Sequence, residues 1–268
     1  MRRSLHDAGS LFLNVGAAPS NPLLPNELVL RLQKLFVLQN TIHWIKAITL
    51  EDESGVAISR GHFKPINSPR YLNDCHEYVF HLTPEGRSPI DRLALGVPYQ
   101  DKSNVARWGH TGGRDKRCRG TTWFVPCETI KSRDKQRPHP ATFPVQVAVN
   151  CIKLHGVERV QTMLDPFLGI GNSAVAARQC GVPKFIGFEI DEQYLAEAER
   201  RVLPAIPTPF SSYNAQTAND LASAIPHAYS PFNAVRTGCH SIPTTEVLFA
   251  STSAPPHSTA VLGRNGAG

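Results

Sequence analysis

The chain has 268 residues, with 28 Lys and Arg against 22 Asp and Glu, a formal net charge of +6 and a pI near 9.1. This length allows one large domain or two small ones with a sizeable core. The sequence contains no run of 18 apolar residues, and the N-terminus lacks the apolar segment of a signal peptide. These features argue against a membrane-spanning or secreted protein and predict a soluble, cytoplasmic one.

Strand and helix patterns alternate in the first part of the chain. Residues 11–16 form a short apolar run that ends in Gly, which is typical of a buried strand. Residues 25–39 carry Leu and Phe at helical spacing, with Asn26 as a candidate N-cap. Residues 41–48 and 76–82 are rich in β-branched and aromatic side chains, which predicts two strands that pack in the sheet. This order predicts an α/β fold.

The positive charge is concentrated in the middle of the chain. Between residues 84 and 137, twelve Lys and Arg face six Asp and Glu, whereas the rest of the chain has sixteen of each. Hydrophobic periodicity fades in the same segment. This composition fits an insertion that contacts nucleic acid, and it fits a solvated loop equally well, so charge alone leaves both interpretations open.

Regular patterns return after this basic segment and stop again near residue 204. Helices are predicted over residues 144–154, 172–180 and 192–202, with Pro144 in the first turn of the first one. The last 65 residues contain eight prolines and only two basic and two acidic side chains. Such a composition buries little apolar surface, so we expect most of residues 204–268 to be disordered or irregular.

The six cysteines are scattered along the chain. No two of them form a Cys-x-x-Cys pair, and none clusters with His at the spacing of a zinc site. We therefore predict neither a structural disulfide nor a metal site. The cysteines are Cys75, Cys118, Cys127, Cys151, Cys180 and Cys239.

The most informative motif lies between two apolar runs of the C-terminal half. Residues 163–172 read Met-Leu-Asp-Pro-Phe-Leu-Gly-Ile-Gly-Asn, which predicts a strand, a glycine turn and the start of a helix. The next run, residues 185–188, leads into Glu189, which follows Gly169 by 20 positions. In a βαβ unit of this kind the glycines let a nucleoside approach the backbone, and the carboxylate reaches its ribose hydroxyls.

These residues resemble site-specific DNA methyltransferases that act on exocyclic amino groups, in their circularly permuted form. The run 165–172 is similar to the family's S-adenosylmethionine-binding loop, and 187–191 is similar to its ribose-binding strand end. Residues 137–144, Arg-Pro-His-Pro-Ala-Thr-Phe-Pro, resemble the segment that lines the methionine moiety. The position of this last segment before the loop marks the permuted order, and the resemblance covers about residues 10–203.

The resemblance implies a Rossmann-like α/β methyltransferase fold, S-adenosylmethionine as cofactor and double-stranded DNA as partner. It also implies roles for the residues of the site. Glu189 would accept hydrogen bonds from both ribose hydroxyls, and the glycines would admit the cofactor to the loop. The complete predicted cofactor site consists of Asp165, Pro166, Phe167, Gly169, Gly171, Asn172, Glu189, His139, Ala141 and Phe143.

We expect DNA to contact the basic segment, mostly through phosphates. Residues 105–108 and 120–130 are similar to family members that modify the 4-amino group of cytosine, which favours cytosine over the 6-amino group of adenine. The resemblance implies a restriction-modification system, with a cognate restriction endonuclease as a possible partner. The predicted DNA-binding residues are Arg107, Trp108, Arg114, Lys116, Arg117 and Arg119.

Together these patterns divide the chain into four parts. Residues 1–83 form the N-terminal part of the methyltransferase sheet, and residues 84–134 form the basic target-recognition insertion. Residues 135–203 bind S-adenosylmethionine, and residues 204–268 form the tail.

The catalytic turn of the family is not found where the resemblance places it. Members use a Ser/Asp/Asn-Pro-Pro-aromatic turn whose polar groups accept hydrogen bonds from the amino group of a flipped base. In the permuted order this turn precedes the first strand by several tens of residues, so its strand would lie upstream of Met1, on a separate N-terminal piece. The sheet would then expose an apolar edge. We therefore assign no catalytic residues.

Two segments of the tail imitate the turn but stand in the wrong order, Ser253–His257 (Ser-Ala-Pro-Pro-His) and Tyr229–Phe232 (Tyr-Ser-Pro-Phe).

The sequence leaves two alternatives to an active methyltransferase. The chain could be a truncated or decayed relative that binds cofactor or DNA without catalysis. It could also be an NAD-type Rossmann protein, since residues 169–174 match G-x-G-x-x-A, although the Asp-Pro-Phe before the glycines disfavours this.

Overall fold

Within the described residues, the fold is a nine-stranded sheet with helices on both faces. The computed structural model describes residues 2–51, 57–61, 69–72, 74–103, 105–107, 109, 114–127, 142–202, 232–234 and 246–252. The predicted α/β class is confirmed.

The element bounds follow the chain from Ser10 to Thr252. The strands are β1 (Ser10–Val15), β2 (Val37–Glu51), β3 (Ala57–Gly61), β4 (His76–Thr83), β5 (Thr122–Pro126), β6 (Thr162–Asp165), β7 (Lys184–Gly187), β8 (Phe232–Ala234) and β9 (Glu246–Thr252). The helices are α1 (Leu24–Leu32), α2 (Val145–His155), α3 (Asn172–Gln179) and α4 (Glu192–Val202).

The strands follow the order β3-β2-β4-β1-β9-β6-β7-β8, and β5 pairs with β2 outside this path. Strands β1, β9, β6, β7 and β8 are parallel to one another. Strand β4 is antiparallel to both β1 and β2, and β5 is parallel to β2. The carboxyl ends of the parallel strands therefore share one edge of the sheet, where open α/β sheets bind their ligands.

Helix α1 ends earlier than its sequence pattern predicts. It stops at Leu32, and the chain enters β2 at Val37, which pairs with Thr83 of β4. Pairing with a neighbouring strand thus overrides the helical spacing of the last predicted residues. The prediction of Asn26 as the N-cap was wrong, because Asn26 lies inside the helix and Leu23 occupies the cap position without a side-chain hydrogen bond.

Two clusters of buried side chains cover the two faces of the sheet. On the face of helices α2, α3 and α4, the core includes Phe12, Trp44 and Trp123, none more than 2 % exposed. On the face of α1, the core includes Leu11 and Phe80 with their neighbours. Each fully buried side chain of this size contributes about 1.5–3 kcal/mol. Along β1, Phe12 joins the first cluster whereas Leu11 and Leu13 join the second, which is the period-two pattern expected of a sheet.

The end of the predicted recognition insertion belongs to the sheet. Strand β5 runs beside β2, with Trp44 and Trp123 in register. The indole Nε1 of Trp44 also donates a hydrogen bond of 2.9 Å to the carbonyl oxygen of Val125. Trp123 and Val125 of β5 are therefore packed into the main core, and the boundary of the insertion at residue 134 stays a prediction.

Two short strands of the tail belong to the sheet, and the irregularity of most of the tail stays a prediction. Strand β8 pairs with β7, and β9 lies between β1 and β6, parallel to both. Leu248 of β9 is opposite both Leu11 and Leu164. Strand β6 thus has a neighbour on each side, and the apolar edge expected from a missing strand is filled by a strand from the tail. A pairing across more than 80 residues leaves no local signal in the sequence.

Among the described residues, no helix is long and apolar enough to cross a membrane. The same part of the chain holds no group of three or more His, Cys, Asp or Glu that could bind a metal ion. The described cysteines form no disulfide with one another; they are Cys75, Cys118, Cys127, Cys151 and Cys180.

Candidate cofactor site

The predicted cofactor loop lies between the end of β6 and the start of α3, at the carboxyl edge of the sheet. Two backbone hydrogen bonds tie this loop to the end of β7. The N–H of Leu168 donates to the carbonyl of Phe188, and the N–H of Phe188 donates to the carbonyl of Asp165, both at 2.9 Å. The loop is therefore held beside Glu189, which directly follows Phe188.

Two glycines give the loop its shape. Gly169 and Gly171 have φ angles of +55° and +81°, in the left-handed region that residues with a Cβ rarely adopt. A Cβ added to Gly171 would also lie 2.8 Å from the Cβ of Ala198 in helix α4. Gly171 is thus required both for the turn into α3 and for close packing of α4 against the loop.

The carboxylate of Asp165, at the end of β6, holds the loop through two hydrogen bonds. Its Oδ1 accepts a hydrogen bond of 2.9 Å from the N–H of Phe167, and its Oδ2 accepts one from the Ser173 hydroxyl at 2.5 Å. Burial raises the pKa of Asp165 to about 6; the two hydrogen bonds oppose this rise, and the charge of Glu189 adds to it. Because Asp165 is only 1 % exposed, it acts on a ligand through the loop that it holds.

Glu189 is bound by the backbone of the loop and of its own turn. Its Oε2 accepts the N–H of Gly169 at 2.7 Å, and its Oε1 accepts the N–H groups of Ile190 and Asp191, both at 2.9 Å. A carboxylate offers about four acceptor positions, so these donors occupy three of them. Contact with both hydroxyls of a ribose would require the carboxylate to release at least one of these donors.

Three exposed apolar residues neighbour Glu189, two of them adjacent to it in the chain and one in the loop that it binds. Phe167, Phe188 and Ile190 are 55 %, 40 % and 101 % exposed. Exposed rings beside a carboxylate match the two parts of a nucleoside, since the rings can pack against the base while the carboxylate binds the ribose. The residues present therefore fit the adenosyl part of S-adenosylmethionine.

Asn172 joins the loop to the segment that precedes α2. Its Nδ2 donates to the carbonyl oxygen of Phe143, and its Oδ1 accepts from Nη1 of Arg201. The same nitrogen of Arg201 donates to the carbonyl of Ile170 at 2.7 Å. The structure thus brings Phe143, predicted from a separate motif, next to the glycine loop, whereas His139 and Ala141 lie outside the described residues.

Two residues of this site were missed by the sequence analysis. Ser173, which donates to Asp165, stands in the first turn of α3, where a hydroxyl faces the strand end. Its position eight residues after Asp165 could have indicated the contact. Arg201 offers no comparable signal, because it reaches the loop from the far end of α4.

Five of the six predicted DNA-binding residues are described, and all five lie on the surface. Arg107, Arg114, Lys116, Arg117 and Arg119 are exposed, and Trp108 lies outside the described residues. The backbone of Arg117 pairs with that of Val97, with N–H to carbonyl distances of 2.8 and 3.0 Å. The Nε of Arg119 donates to the carbonyl of Leu95 at 3.1 Å. Residues 114–119 are therefore held against residues 95–97 with their charges towards solvent.

Strand β9 reaches the same edge of the sheet as the cofactor loop. It continues four residues beyond Leu248, which is opposite Leu164, and ends at Thr252 opposite Val15. Ser253–His257, the first of the two imitations of the catalytic turn, follows directly and lies outside the described residues. Of the second imitation, only Phe232 is described; it begins β8, on the far side of β7 from the loop.

Comparison with known proteins decides the family. The family model described as "DNA methylase", of the N6_N4 methyltransferase type, matches residues 1–200. The chain belongs to this DNA methylase family. The predicted family and its cofactor, S-adenosylmethionine, are thereby confirmed. The permuted order stays a prediction, and the match gives no support to the NAD-type alternative.

Individual relatives agree with this family. The chain is 24 % identical over 229 residues to type II methyltransferase M.SmaI of Serratia marcescens, covering 76 % of this chain and 70 % of that one. It is 29 % identical over 208 residues to type II methyltransferase M.ScaI of Streptomyces caespitosus, covering 75 % and 63 %.

A solved structure shares the fold. The PvuII DNA methyltransferase, titled cytosine-N4-specific, matches 83 % of this chain and 71 % of its own with a TM-score of 0.54 at 14 % identity. The predicted methyltransferase fold class is thereby confirmed.

Proposed function

We propose that this DNA methyltransferase transfers a methyl group from S-adenosylmethionine to an exocyclic amino group of a DNA base, the 4-amino group of cytosine. The observation that carries the proposal is the glycine loop bound to Glu189 through the N–H of Gly169, with exposed Phe167 and Phe188 beside it. When bound, S-adenosylmethionine supplies an electrophilic methyl group.

The protein's part in cofactor binding is to hold and orient. Glu189 binds the ribose hydroxyls, the rings of Phe167 and Phe188 contact the adenine, and the left-handed backbone of Gly169 and Gly171 shapes the loop beside the ligand. Pro166 shapes the loop after Asp165, and Asn172 holds Phe143 towards the methionine end through its bond to the carbonyl of that residue. His139 and Ala141 complete the methionine side in the same proposal.

The choice of base rests on two likenesses. The sequence resembles cytosine-directed members around residues 105–108 and 120–130, and the structure titled cytosine-N4-specific shares the fold. The 6-amino group of adenine is the second candidate, because the matching family model spans both kinds of amino group.

We further propose that the residues after β9 complete the side of the site that faces the acceptor base. Strands β6 and β9 are parallel neighbours, so the chain leaves β9 at the edge where the cofactor loop leaves β6. An amino nitrogen whose lone pair is delocalised into a ring needs hydrogen-bond acceptors. The next residues, Ser253 to His257, offer a hydroxyl and two prolines whose carbonyls accept while the residues lack an N–H.

A transfer assay tests the activity and the base together. Full-length chain, S-adenosylmethionine with a labelled methyl group and mixed-sequence duplex DNA should yield labelled DNA, and digestion to nucleosides should place the label on N4-methylcytosine. Label on adenine would select the second candidate. Absence of label, with cofactor binding intact, would indicate a decayed relative that binds without catalysis.

The acceptor side is tested in the same assay with Ser253→Ala and with a chain that ends at Thr252. Both should bind cofactor as the full-length chain does and lose most of the transfer. The matched control is Ser258→Ala, five residues further along, which should keep the activity. Unchanged transfer by the shortened chain would reject this part of the proposal.

For DNA contact we propose the exposed basic residues Arg107, Arg114, Lys116, Arg117 and Arg119, with Trp108 nearby. Removing the charges of Arg117 and Arg119 should weaken DNA binding and reduce the slope of log affinity against log salt by about 0.9 per lost phosphate contact. Cofactor binding should not change, since neither side chain contacts the loop. An unchanged salt slope would reject the assignment.

The relatives named type II methyltransferases support a place in a restriction-modification system. DNA from cells that express the active chain should resist one restriction endonuclease in a panel, while DNA from cells that express Gly171→Val should be cut by all of them. That endonuclease would identify the target sequence and the cognate partner.

A further inference from the structure

One end of the sheet carries rings on a face that is open to solvent. Strand β5 alternates in burial, with Trp123 and Val125 buried on one face and Thr122, Phe124 and Pro126 exposed on the other. Phe124 is 61 % exposed although it lies within a strand. A single exposed aromatic residue is common on protein surfaces, whereas a contiguous exposed apolar patch marks a binding surface.

Neighbouring strands extend this open face. Phe124 is opposite Ile45 of β2, and Ile45 is opposite His76 of β4. In the adjacent row, Tyr78 of β4 is opposite His43 of β2. We name the five residues His43, Ile45, His76, Tyr78 and Phe124 the ring platform.

The rings of the platform form one patch. The ring centres of His43 and Tyr78 are 5.2 Å apart, those of His76 and Tyr78 are 5.2 Å apart, and those of His43 and His76 are 5.8 Å apart. All three side chains are partly exposed. With Phe124 on β5, next to β2, the patch places rings on three adjacent strands.

The ring platform lies towards the edge of the sheet that carries the cofactor loop. Val15, the last residue of β1, is opposite Tyr78 on one side and Thr252 of β9 on the other. Strand β6 lies next to β9, three strands from β4. At about 4.8 Å per strand, the platform begins about 14 Å from the loop, which is about four nucleotide steps along DNA.

The basic segment leads directly into this patch. Arg119 precedes Thr122 by three residues, and Arg117 and Lys116 stand before it, all exposed. Positive charges beside exposed rings are the combination with which proteins bind unstacked bases, because the charges hold the phosphates while each base stacks on a ring. An apolar protein partner would gain nothing from these charges.

We infer that the ring platform binds DNA bases that have left the duplex stack, close to the base that enters the cofactor site. This inference rests on the proposed function for the identity of the nucleic acid. The ring platform would contact the bases, whereas the arginines contact the phosphates. Unstacked DNA bases are thus the proposed occupant of the open face of β5, β2 and β4.

Phe124 provides the sharpest test, because its exposed side chain can be changed without opening the core. Binding of the full-length chain to a fluorescent single-stranded oligonucleotide is measured by anisotropy between 50 and 200 mM salt. Phe124→Ala should weaken binding about 10-fold, within the range of a lost stacking contact, at an unchanged salt slope. Phe124→Trp should restore the affinity, since it returns a ring.

A matched control separates the platform from general surface effects. Leu30, on helix α1, is also 61 % exposed, and Leu30→Ala should bind DNA as the unchanged chain does. Wild-type affinity of Phe124→Ala for the oligonucleotide would overturn the inference. So would dissociation of a dimer by Phe124→Ala in sedimentation, because the face would then bind a second copy. A wild-type chain that binds no DNA at all would instead refute the proposed function.

Discussion

Buried polar groups lie at both edges of the sheet: the edge at the amino ends of the parallel strands, called here the amino end, and the edge at their carboxyl ends, called the carboxyl end. Comparing these two edges shows which polar groups serve the fold and which serve function. At the amino end, the Ser10 hydroxyl lies between Nε2 of His81 at 2.8 Å and Nδ1 of His155 at 3.0 Å, while Nδ2 of Asn40 lies 3.0 Å from Nδ1 of His81. Ser10, His81 and His155 are at most 1 % exposed. A serine next to a histidine suggests a nucleophile, but no substrate can reach this one.

At the carboxyl end, the buried Asp165 supports groups that remain accessible. Its partners Ser173 and Phe167 shape the loop, and Glu189 lies beside exposed rings. Both ends therefore have polar groups with shifted pKa values, and only one of them has an open surface beside those groups. Access, rather than the presence of reactive side chains, distinguishes the candidate site. The two ends should also respond oppositely to pH.

The largest expected effect is acid destabilisation through the amino end. Burial lowers the pKa of His81 to about 3, with His155 adding to it, and burial beside Arg159 lowers the pKa of His155 to about 4. Both imidazoles thus take up protons more readily in the unfolded chain, so stability is full above pH 6.5 and is lost below it. Between pH 8 and pH 5 the loss should be about 4 kcal/mol.

Urea unfolding at the two pH values measures the net pH dependence, in which the opposite effect of Asp165 offsets part of this loss. His155→Gln should reduce the loss by about 2 kcal/mol, because one of the two buried imidazoles is gone. If the variant and the parent show the same dependence on pH, the buried pair is not its source.

The second effect has the opposite sign and comes from the carboxyl end. The pKa of Asp165 is raised to about 6 in the folded chain, so its favourable contribution is complete below pH 3.8 and is lost as the pH rises through 6. Asp165→Asn should therefore stabilise the protein at pH 8 by up to about 3 kcal/mol and by nothing below pH 4.

The same variant tests what the loop is for. An amide can accept from Phe167 and donate to Ser173, so the loop should persist while cofactor binding weakens through the altered charge. Thermal unfolding across pH, with a cofactor titration at pH 8, gives both results. If Asp165→Asn instead has a lower free energy of unfolding at pH 8, the charge of the Asp165 carboxylate stabilises the folded chain.

These two ends also show what sequence can and cannot predict. The loop from Asp165 to Glu189 was predicted because its glycines, acid and spacing are contained in 25 residues. The contacts of Ser10 join residues 71 and 145 positions away, and nothing near Ser10 in the sequence indicates them. Strand β9 was missed for the same reason, because the residues opposite Leu248, Leu11 and Leu164, are both far from it in the sequence.

The third expected effect is smaller and confined to the amino end. Ser10→Ala leaves nitrogens of His81 and His155 buried without their partner, and should destabilise the protein by about 2 kcal/mol. Ser88 is a buried serine whose hydroxyl donates to the carbonyl of Gly9 at 3.3 Å, so Ser88→Ala should cost about 0.5–1 kcal/mol. If Ser10→Ala and Ser88→Ala lose equal free energy of unfolding in urea, the hydrogen bonds of Ser10 to His81 and His155 are no stronger than an ordinary buried one. Cofactor affinity should be the same in both variants.

The smallest effect on stability is expected from a change at Glu189, at the carboxyl end, where the main effect should be on cofactor binding. Glu189→Gln keeps the shape of the side chain but replaces one acceptor oxygen with an amide, which can no longer accept from all three backbone donors. Because hydrogen bonds to a charged acceptor are about twice as strong as neutral ones, affinity for S-adenosylmethionine should fall about 10-fold in calorimetric titration.

Glu192→Gln is the matched control for this change. Glu192 is an exposed carboxylate three residues further along, in the first turn of α4, so its replacement removes the same charge without touching the loop. An equal loss of affinity in the two variants would reduce the role of Glu189 to general electrostatics. A loss confined to Glu189→Gln would show that an accessible carboxylate binds the ligand, whereas the inaccessible histidines at the other end of the same sheet serve only the fold.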